Sequence, residues 1–391
     1  MSHNLFQKTT DFLGVFDDIS EEDAAIWARA RSFQDECHAK INDCWDKGEY
    51  PLDLVRRLGE LDLLTDGLDI EGHQKMSPLA AGLALMEITR IDPSMGTVIA
   101  VQAGLAMRSI AMLGSDEQKK EWLDGLAKAE KLGAFGLTEP DHGSDSIALE
   151  TTAVRDGDEF VLNGKKRWIG NGSVGDVTVI WARTEDGEVS GFVVPQNTPG
   201  YKGVTQTGKA ALRAIYQAEI TLTDCRVPLS AQLPGARSFK DVASVLTATR
   251  IGVAWMALGS AVACYEKARE YALERHQFGR PLAKNQIIQQ RLTNMLLDLN
   301  QMMLVVRKVT ECEARGELRA EQASFAKLHN TRAARRIAAD ARDMLGGVGI
   351  LLENHVIRHF IDIETMHTYE GTDTIQSLII GKQLTGMSAY R

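Results

Sequence analysis

Residues 159–169 read Glu-Phe-Val-Leu-Asn-Gly-Lys-Lys-Arg-Trp-Ile, in which branched and aromatic residues surround an Asn-Gly pair. This composition favours β-strands, and Asn163-Gly164 is typical of a tight hairpin turn. Similar runs recur nearby and predict strands at 151–154, 159–162, 166–169, 177–182, 190–194 and 217–222. Short strands at this spacing predict a small antiparallel β-barrel or sandwich of about a hundred residues.

Helical periodicity flanks this region on both sides. Before it, capping residues such as Ser20 and Ser77 precede apolar residues spaced by three and four, and Met95 to Leu113 is almost wholly apolar. Four long helical patterns follow it, at residues 239–274, 284–314, 319–345 and 355–385. Long helices joined by short loops predict an antiparallel four-helix bundle. The predicted fold is a multidomain α+β protein, with an α-helical domain at 1–131, a β-barrel at 132–237 and a helical bundle at 238–391.

Composition narrows the function classes. The 391 residues are 44% hydrophobic and 25% charged, with a net charge of -9, which argues against a nucleic-acid-binding surface. The five cysteines include no CxxC pair, so we expect reduced thiols and no metal site. We recognise no signal peptide, no peroxisomal tripeptide and no apolar run of membrane-spanning length. A cytoplasmic protein without a membrane partner is therefore expected.

The stretch Thr368-Tyr369-Glu370-Gly371-Thr372-Asp373-Thr374 places one carboxylate ahead of an apolar helix. Burial at such a place raises the pKa of a carboxyl group toward the range in which it can take a proton from carbon. Glu370 is therefore the candidate catalytic base. The alternative is a capping segment, in which Thr372 caps the helix and Glu370 is a solvated acid of the first turn.

Four motifs together resemble the acyl-CoA dehydrogenase family, in the family's order and over nearly the whole chain. They are Phe135-Gly-Leu-Thr-Glu-Pro-Asp-His-Gly-Ser-Asp145, Lys166-Arg-Trp-Ile-Gly-Asn171, Arg275-His-Gln-Phe-Gly279 and Tyr369-Glu-Gly-Thr372. The resemblance implies the family's arrangement of helical domain, barrel and bundle, with FAD as cofactor and an acyl-CoA as substrate. Details around Thr368 to Thr372 and Leu384-Thr385-Gly386 are most similar to the glutaryl-CoA dehydrogenase branch.

The resemblance also implies which residues contact the flavin. The first motif has small residues and exposed amides, which suit a polar cofactor, although a glycine-rich connection between domains is the alternative. For the tryptophan of the second motif, the alternative is a ring buried in the barrel's own core. The implied flavin contacts are Phe135, Leu137, Thr138, Gly143, Ser144, Trp168, Ile169 and Gly170.

A second set of implied cofactor residues lies in the C-terminal region. Arg275, Phe278 and Gln286 would lie near the FAD pyrophosphate of a neighbouring subunit, which implies an oligomer, expected to be a homotetramer. Arg275 could instead only offset the dipole of the helix that it ends. The remaining members are Asp343, where relatives often have Gln, together with Gly346, Gly347, Thr372 and Asp373.

The reaction implied by the resemblance removes a proton and a hydride from adjacent carbons. Glu370 would take the α-proton, flavin N5 would take the hydride, and the product would be a trans-2-enoyl-CoA. The thioester oxygen would accept hydrogen bonds from the Glu370 backbone amide and the flavin ribityl chain, which stabilises the enolate as it forms. The implied substrate contacts are Ser144, Ser244, Thr247, Arg250, Tyr369 and Gly371. For Arg250 the alternative is a surface or interdomain ion pair.

Two departures from the family pattern bear on substrate and electron acceptor. Relatives that handle dicarboxylates place an arginine where this chain has Gly96, and an acid where it has Thr89, so a short or branched monocarboxylic acyl-CoA is expected. Decarboxylation of glutaryl-CoA is an alternative. Relatives usually have Thr where this chain has Gly170, near flavin N5. The expected acceptor is an electron-transferring flavoprotein, but a missing side chain there could admit oxygen, so an acyl-CoA oxidase is also an alternative.

A DNA-binding role, known for one alkylation-response member of the family, is a hypothesis of another class. The acidic net charge of -9 argues against it.

Overall fold

The computed structural model describes residues 3–389, so the outer ends of the first and last predicted domains lie outside them. Helices come first, a curled sheet follows, and helices return, in the predicted order. The N-terminal helices are α1 (Glu21–Lys47), α2 (Leu52–Glu60), α3 (Pro78–Ile91), α4 (Pro93–Ile99), a π-helix (Ala100–Met107), α5 (Arg108–Leu113) and α6 (Asp116–Ala127). Ser20 and Ser77 cap α1 and α3 as expected, accepting from Asp23 N at 3.1 Å and Ala80 N at 3.0 Å.

The apolar stretch at Pro93–Leu113 is long and apolar enough to cross a membrane by length and composition, as is Phe239–Glu274. The expectation that no run reaches this length was therefore wrong. Most of each stretch is buried inside the fold, 67% and 61% of the respective apolar windows, so packing in the protein core accounts for its composition.

The middle region forms a seven-stranded sheet in the order β1-β4-β2-β3-β7-β6, with β5 paired to β4. Its strands are β1 (Gly133–Gly136), β2 (Thr152–Asp156), β3 (Glu159–Gly170), β4 (Val177–Thr184), β5 (Val189–Pro195), β6 (Tyr201–Thr205) and β7 (Gln217–Pro228). The prediction missed β1 and β6. The sheet is also antiparallel only in part, because β4 pairs in parallel with both β1 and β2.

The hairpin predicted at Asn163-Gly164 was wrong. Glu159 to Gly170 form one continuous strand along β7, and the Asn-Gly pair produces a shift in register between Leu162 and Gly164. A second shift lies between Lys166 and Ile169. Gly164 has φ +152°, and its missing Cβ would lie 2.4 Å from Thr151 Oγ1, so close packing on β2's side explains the glycine. Such irregularities bend a strand and increase its local twist.

The C-terminal helices are α7 (Phe239–Glu274), α8 (Gln286–Ala314), α9 (Ala320–Met344), α10 (Val356–Thr368) and α11 (Asp373–Thr385). A two-stranded ribbon, β8 (His276–Gln277) and β9 (Arg280–Pro281), joins α7 to α8. The fourth predicted helix, 355–385, is broken into α10 and α11 at residues 369–372. The break occurs where Glu370 and Gly371 take positive φ, +53° and +84°, which no continuous α-helix contains.

Candidate active site

Glu370 lies in the break between α10 and α11. One carboxylate oxygen, Oε2, accepts a hydrogen bond from Thr249 Oγ1 at 2.9 Å, although Thr249 lies on α7, 121 residues earlier. A non-glycine residue with positive φ costs about 1–3 kcal/mol, so surrounding contacts must hold this conformation. The capping alternative is correct for Thr372, whose Oγ1 accepts from Ile375 N at 3.3 Å. It is wrong for Glu370, which is partly buried and bonded to α7 rather than solvated.

Two buried side chains hold the backbone on either side of Glu370. Lys327 on α9 is fully buried, and its Nζ donates to Gly371 O at 2.5 Å and to His367 O at 3.2 Å. Gln376, also fully buried, donates through Nε2 to Glu370 O at 2.6 Å. Burial lowers the pKa of Lys327 to about 8, while the negative charge of Glu370 works against that shift. Lys327 therefore fixes the break and places a cation near the carboxylate.

Burial makes the Glu370 carboxylate more basic than a solvated one. Burial raises the pKa of Glu370, and it does so against the Thr249 hydrogen bond and the charges of Arg250 and Lys327, which all lower it. Burial also raises the pKa of the neighbouring Tyr369 phenol, so that this group stays neutral. A carboxylate with a raised pKa accepts a proton more readily, which is what removal of a proton from carbon requires.

Replacing Thr249 with valine is expected to move the acid limb of the kcat/KM profile to higher pH by about one unit. The base must be ionised to act, so activity rises as pH passes through the pKa of Glu370. Because the lost hydrogen bond lowers that pKa, its removal raises the pKa further. A pH profile of Thr249→Val measures this. Thr293→Val removes an exposed helical hydroxyl as a control, and an unmoved limb in Thr249→Val would contradict the assigned contact.

The first two sequence motifs lie side by side on the sheet. Arg167 N donates to Thr138 O at 2.8 Å, and Lys166 Nζ donates to Leu137 O at 3.1 Å and to Glu139 Oε1 at 2.8 Å. Lys166 is fully buried, and burial lowers its pKa to about 8 against the attraction of Glu139. Sequence analysis missed the Lys166–Glu139 pair. It anchors the segment from Phe135 to Ser144 onto β3.

The side chains expected at the flavin divide into buried and accessible ones. Phe135 and Leu137 are 8% and 6% exposed, and they belong to the large core. Trp168 is 55% exposed with φ +65°, so the alternative of a ring buried in the barrel core was wrong. Gly143 and Ser144 lie in an exposed loop, where a Cβ on Gly143 would meet nothing within 4 Å. An accessible ring beside an open, small-residue loop fits a planar cofactor.

A π-helix lies between Thr249, the hydrogen-bond partner of Glu370, and the end of β3. At Gly104, a Cβ would lie 3.7 Å from Thr249 Cγ2, and at Gly170 a Cβ would lie 2.8 Å from Val101 Cγ2. The space beside Gly170, which the sequence left open, is therefore filled by Val101. π-helical turns occur frequently at functional sites. In this π-helix, Gly104 lies beside Thr249, the partner of Glu370, and Val101 lies against Gly170 of the second motif.

The remaining predicted cofactor residues lie on the outer surface of the bundle. Phe278 is fully exposed with φ +53°, and Arg275 and Gln286 are also exposed. Asp343 is exposed and forms an ion pair with Arg291. A Cβ at Gly346 or Gly347 would meet nothing within 4 Å. Asp373 is bound by Arg332 at 2.7 Å.

The predicted substrate residues on α7 follow one another along the helix that carries Thr249. Ser244 is exposed and Thr247 partly buried, and each hydroxyl donates to a helix carbonyl, Asp241 O at 2.7 Å and Ala243 O at 2.8 Å. Arg250 is close enough to lower the pKa of Glu370. The Tyr369 hydroxyl lies 3.9 Å from Met256 Sδ on the same helix. The structure thus brings Arg250, Tyr369 and Gly371 close to Glu370, the candidate base.

Comparison with known proteins gives three matching family models. They are the N-terminal domain of acyl-CoA dehydrogenase at residues 20–130, its middle domain at 134–225 and its C-terminal domain at 239–385. The chain belongs to the acyl-CoA dehydrogenase family. As a member it is an oxidoreductase that acts on acyl-CoA and uses FAD.

Individual acyl-CoA dehydrogenases match over most of their length. The mitochondrial short-chain specific acyl-CoA dehydrogenase of Rattus norvegicus is 36% identical over 88% of this chain and 84% of its own. A glutaryl-CoA dehydrogenase structure from Mycobacterium smegmatis is 42% identical with a TM-score of 0.96, covering 98% of this chain and 99% of that one. A second from that organism, in complex with FADH2, is 37% identical with the same TM-score of 0.96, covering 99% and 100%.

Sequence reasoning missed Thr249, Lys327, Lys166 and Val101 as contacts of the candidate site residues. Lys327 carried a readable signal, because it lies on the buried stripe formed by Ala323, Ala326, Asn330 and Ala334 of α9. A lysine on such a stripe must find buried acceptors. Thr249 and Val101 carried no such signal, since their importance comes from contacts with distant segments.

Proposed function

We propose that this chain catalyses FAD-dependent α,β-dehydrogenation of a short or branched monocarboxylic acyl-CoA to the trans-2-enoyl-CoA, with Glu370 as the base. The observation that carries the proposal is the partly buried Glu370 carboxylate, held by Thr249 at 2.9 Å and given a raised pKa by burial. Bound FAD supplies the hydride acceptor, and Thr138, Ser144 and Trp168 would hold its ring.

The protein's own part in the reaction is to hold and receive a proton. Thr249 occupies Oε2 of Glu370, which leaves Oε1 to take the α-proton. Lys327 and Gln376 hold the carbonyls of Gly371 and Glu370, so the base is fixed before substrate arrives. Such positioning lowers the barrier because the geometry is established in folding rather than during the reaction.

The substrate proposal rests on Gly96 and Thr89. A Cβ at Gly96 would lie 2.1 Å from Thr89 Oγ1 and 3.3 Å from Met256 Cε, and the Thr89 hydroxyl donates to Leu85 O. Gly96 and Thr89, the two departures from the dicarboxylate pattern, therefore face each other. The groups around the position where dicarboxylate-handling relatives have an arginine are neutral. A distal carboxylate buried there without a cation costs several kcal/mol, by order of magnitude.

Glutaryl-CoA is expected to be a poor substrate, with kcat/KM about 10²-fold below that of valeryl-CoA, which has the same chain length without the distal carboxylate. Anaerobic bleaching of the bound flavin by a panel of acyl-CoA esters identifies the substrate class, and steady-state turnover gives the ratio. Efficient release of CO2 from labelled glutaryl-CoA would instead support the second candidate function, decarboxylating glutaryl-CoA dehydrogenation, which the 42% identity to a glutaryl-CoA dehydrogenase favours.

We further propose a cytoplasmic homotetramer that passes its electrons to an electron-transferring flavoprotein. Large apolar side chains are exposed on the C-terminal helices, including Ile287 at 67%, Leu297 at 57% and Leu384 at 80%. Further copies of the chain would cover them. The exposed Phe278 and Arg275 would then reach the FAD of a neighbouring subunit.

A further inference from the structure

We propose that Val101 is the residue that keeps oxygen away from the reduced flavin, by filling the space that Gly170 leaves empty. This inference rests on the proposed function, in which the flavin lies against Trp168 to Gly170. The reaction that Val101 would suppress is the transfer of two electrons and two protons from reduced FAD to O2, which yields oxidised FAD and H2O2.

The contact involves the whole of the valine side chain. A Cβ built on Gly170 would lie 2.8 Å from Val101 Cγ2, 3.2 Å from Cγ1 and 3.5 Å from Cβ, and those are its three nearest atoms. Both methyl groups face Gly170, so rotation about χ1 leaves at least one of them at the contact, and a β-branched residue in a helix has one strongly preferred rotamer. Gly170 is buried and Val101 partly buried, so these methyl groups cover the end of β3 at Gly170.

The π-helix accounts for the fit. Its wider turn carries Val101 toward Gly170 and Gly104 toward Thr249, whose hydroxyl binds Glu370. Val101 thus places apolar side-chain atoms against Gly170, and Gly104 places a residue without a side chain beside Thr249.

Truncating the Val101 side chain would leave an apolar void. Protein cavities lined by aliphatic groups stay dry yet admit small apolar molecules, and O2 is small and apolar. Val101→Ala would therefore create an oxygen-sized apolar space beside Gly170. Gly170→Ala alone would overcrowd the same space, because its new methyl group would overlap Val101 Cγ2. The two substitutions together would fill the space again.

The test uses the full FAD-loaded chain, with the flavin photoreduced in the absence of substrate and then mixed with air-saturated buffer. Reoxidation, followed by flavin absorbance, is expected to be faster in Val101→Ala by about tenfold or more. It should return toward the parent rate in Val101→Ala/Gly170→Ala. Val101→Thr keeps the branched shape and should keep the parent rate. Val98→Ala is the matched control, an equal truncation of a buried valine in α4.

A second readout needs no flavin. Thermal unfolding of the flavin-free chain should show Gly170→Ala melting about 2–6 °C below the parent, with Val101→Ala relieving that loss in the double variant. If that coupling appears but Val101→Ala reoxidises at the parent rate, or if Val98→Ala reoxidises as fast as Val101→Ala, the proposed oxygen barrier is wrong. Failure of the proposed function would look different, because no acyl-CoA ester would then bleach the parent flavin.

Discussion

Glu370→Gln is expected to lower kcat by about 10²–10⁴-fold, the range that a general base contributes. The amide keeps the size of the side chain and can still accept the Thr249 hydrogen bond, which measures 2.9 Å in the parent. It cannot take a proton from carbon. Anaerobic flavin bleaching by the best acyl-CoA substrate in a stopped-flow instrument measures the reductive step directly.

Two controls accompany this variant. Glu353→Gln makes the same change at an exposed position, and it should reduce flavin at the parent rate. Flavin content and acyl-CoA affinity of Glu370→Gln should remain near the parent values, because only the proton acceptor has been removed. If the flavin of Glu370→Gln bleached at an unchanged rate, another group would be the base and the proposed mechanism would be wrong.

Lys327→Met is expected to have the second largest effect, a loss of about 10-fold to 10²-fold in kcat together with a higher acid limb. The substitution removes the Lys327 Nζ donor to Gly371 O and His367 O. Those two hydrogen bonds hold the break between α10 and α11 in which Glu370 lies. It also removes one of the charges that lower the pKa of Glu370. That pKa therefore rises, and a higher pH is needed to ionise the base.

The pH profile separates positioning from simple loss of structure. A merely structural lysine would lower stability without moving the acid limb of kcat/KM. Lys308→Met, an exposed change on α8, serves as the control for loss of a positive charge. Lys327→Arg keeps the charge and should keep the limb near its parent position even if the larger side chain lowers kcat. An acid limb that is identical in Lys327→Met and the parent would refute the positioning role.

The sequence predicted those parts of the fold that depend on neighbours along the chain. The helical pattern at 239–274 coincides with α7, Phe239–Glu274, because its periodicity is continuous and Ser238 provides a cap. The alternative in which Thr372 caps a helix was correct, and the Glu370 motif was selected by its position ahead of an apolar helix. The prediction of a hairpin at Asn163-Gly164 was wrong because it also relied on neighbouring residues alone. A turn signal carries no information about the packing against Thr151 that keeps β3 continuous.

The sequence by itself determined the order of helical and β regions, their caps and the motifs of the family, because spacing and residue type are local properties. Tertiary structure decided that 355–385 breaks at Glu370, that Trp168 is exposed, and that Thr249 and Lys327 contact the segment around Glu370. It also decided that Val101 fills the space beside Gly170. Each of these depends on side chains brought together from separate segments, such as Thr249 and Glu370, 121 residues apart, so only packing could settle them.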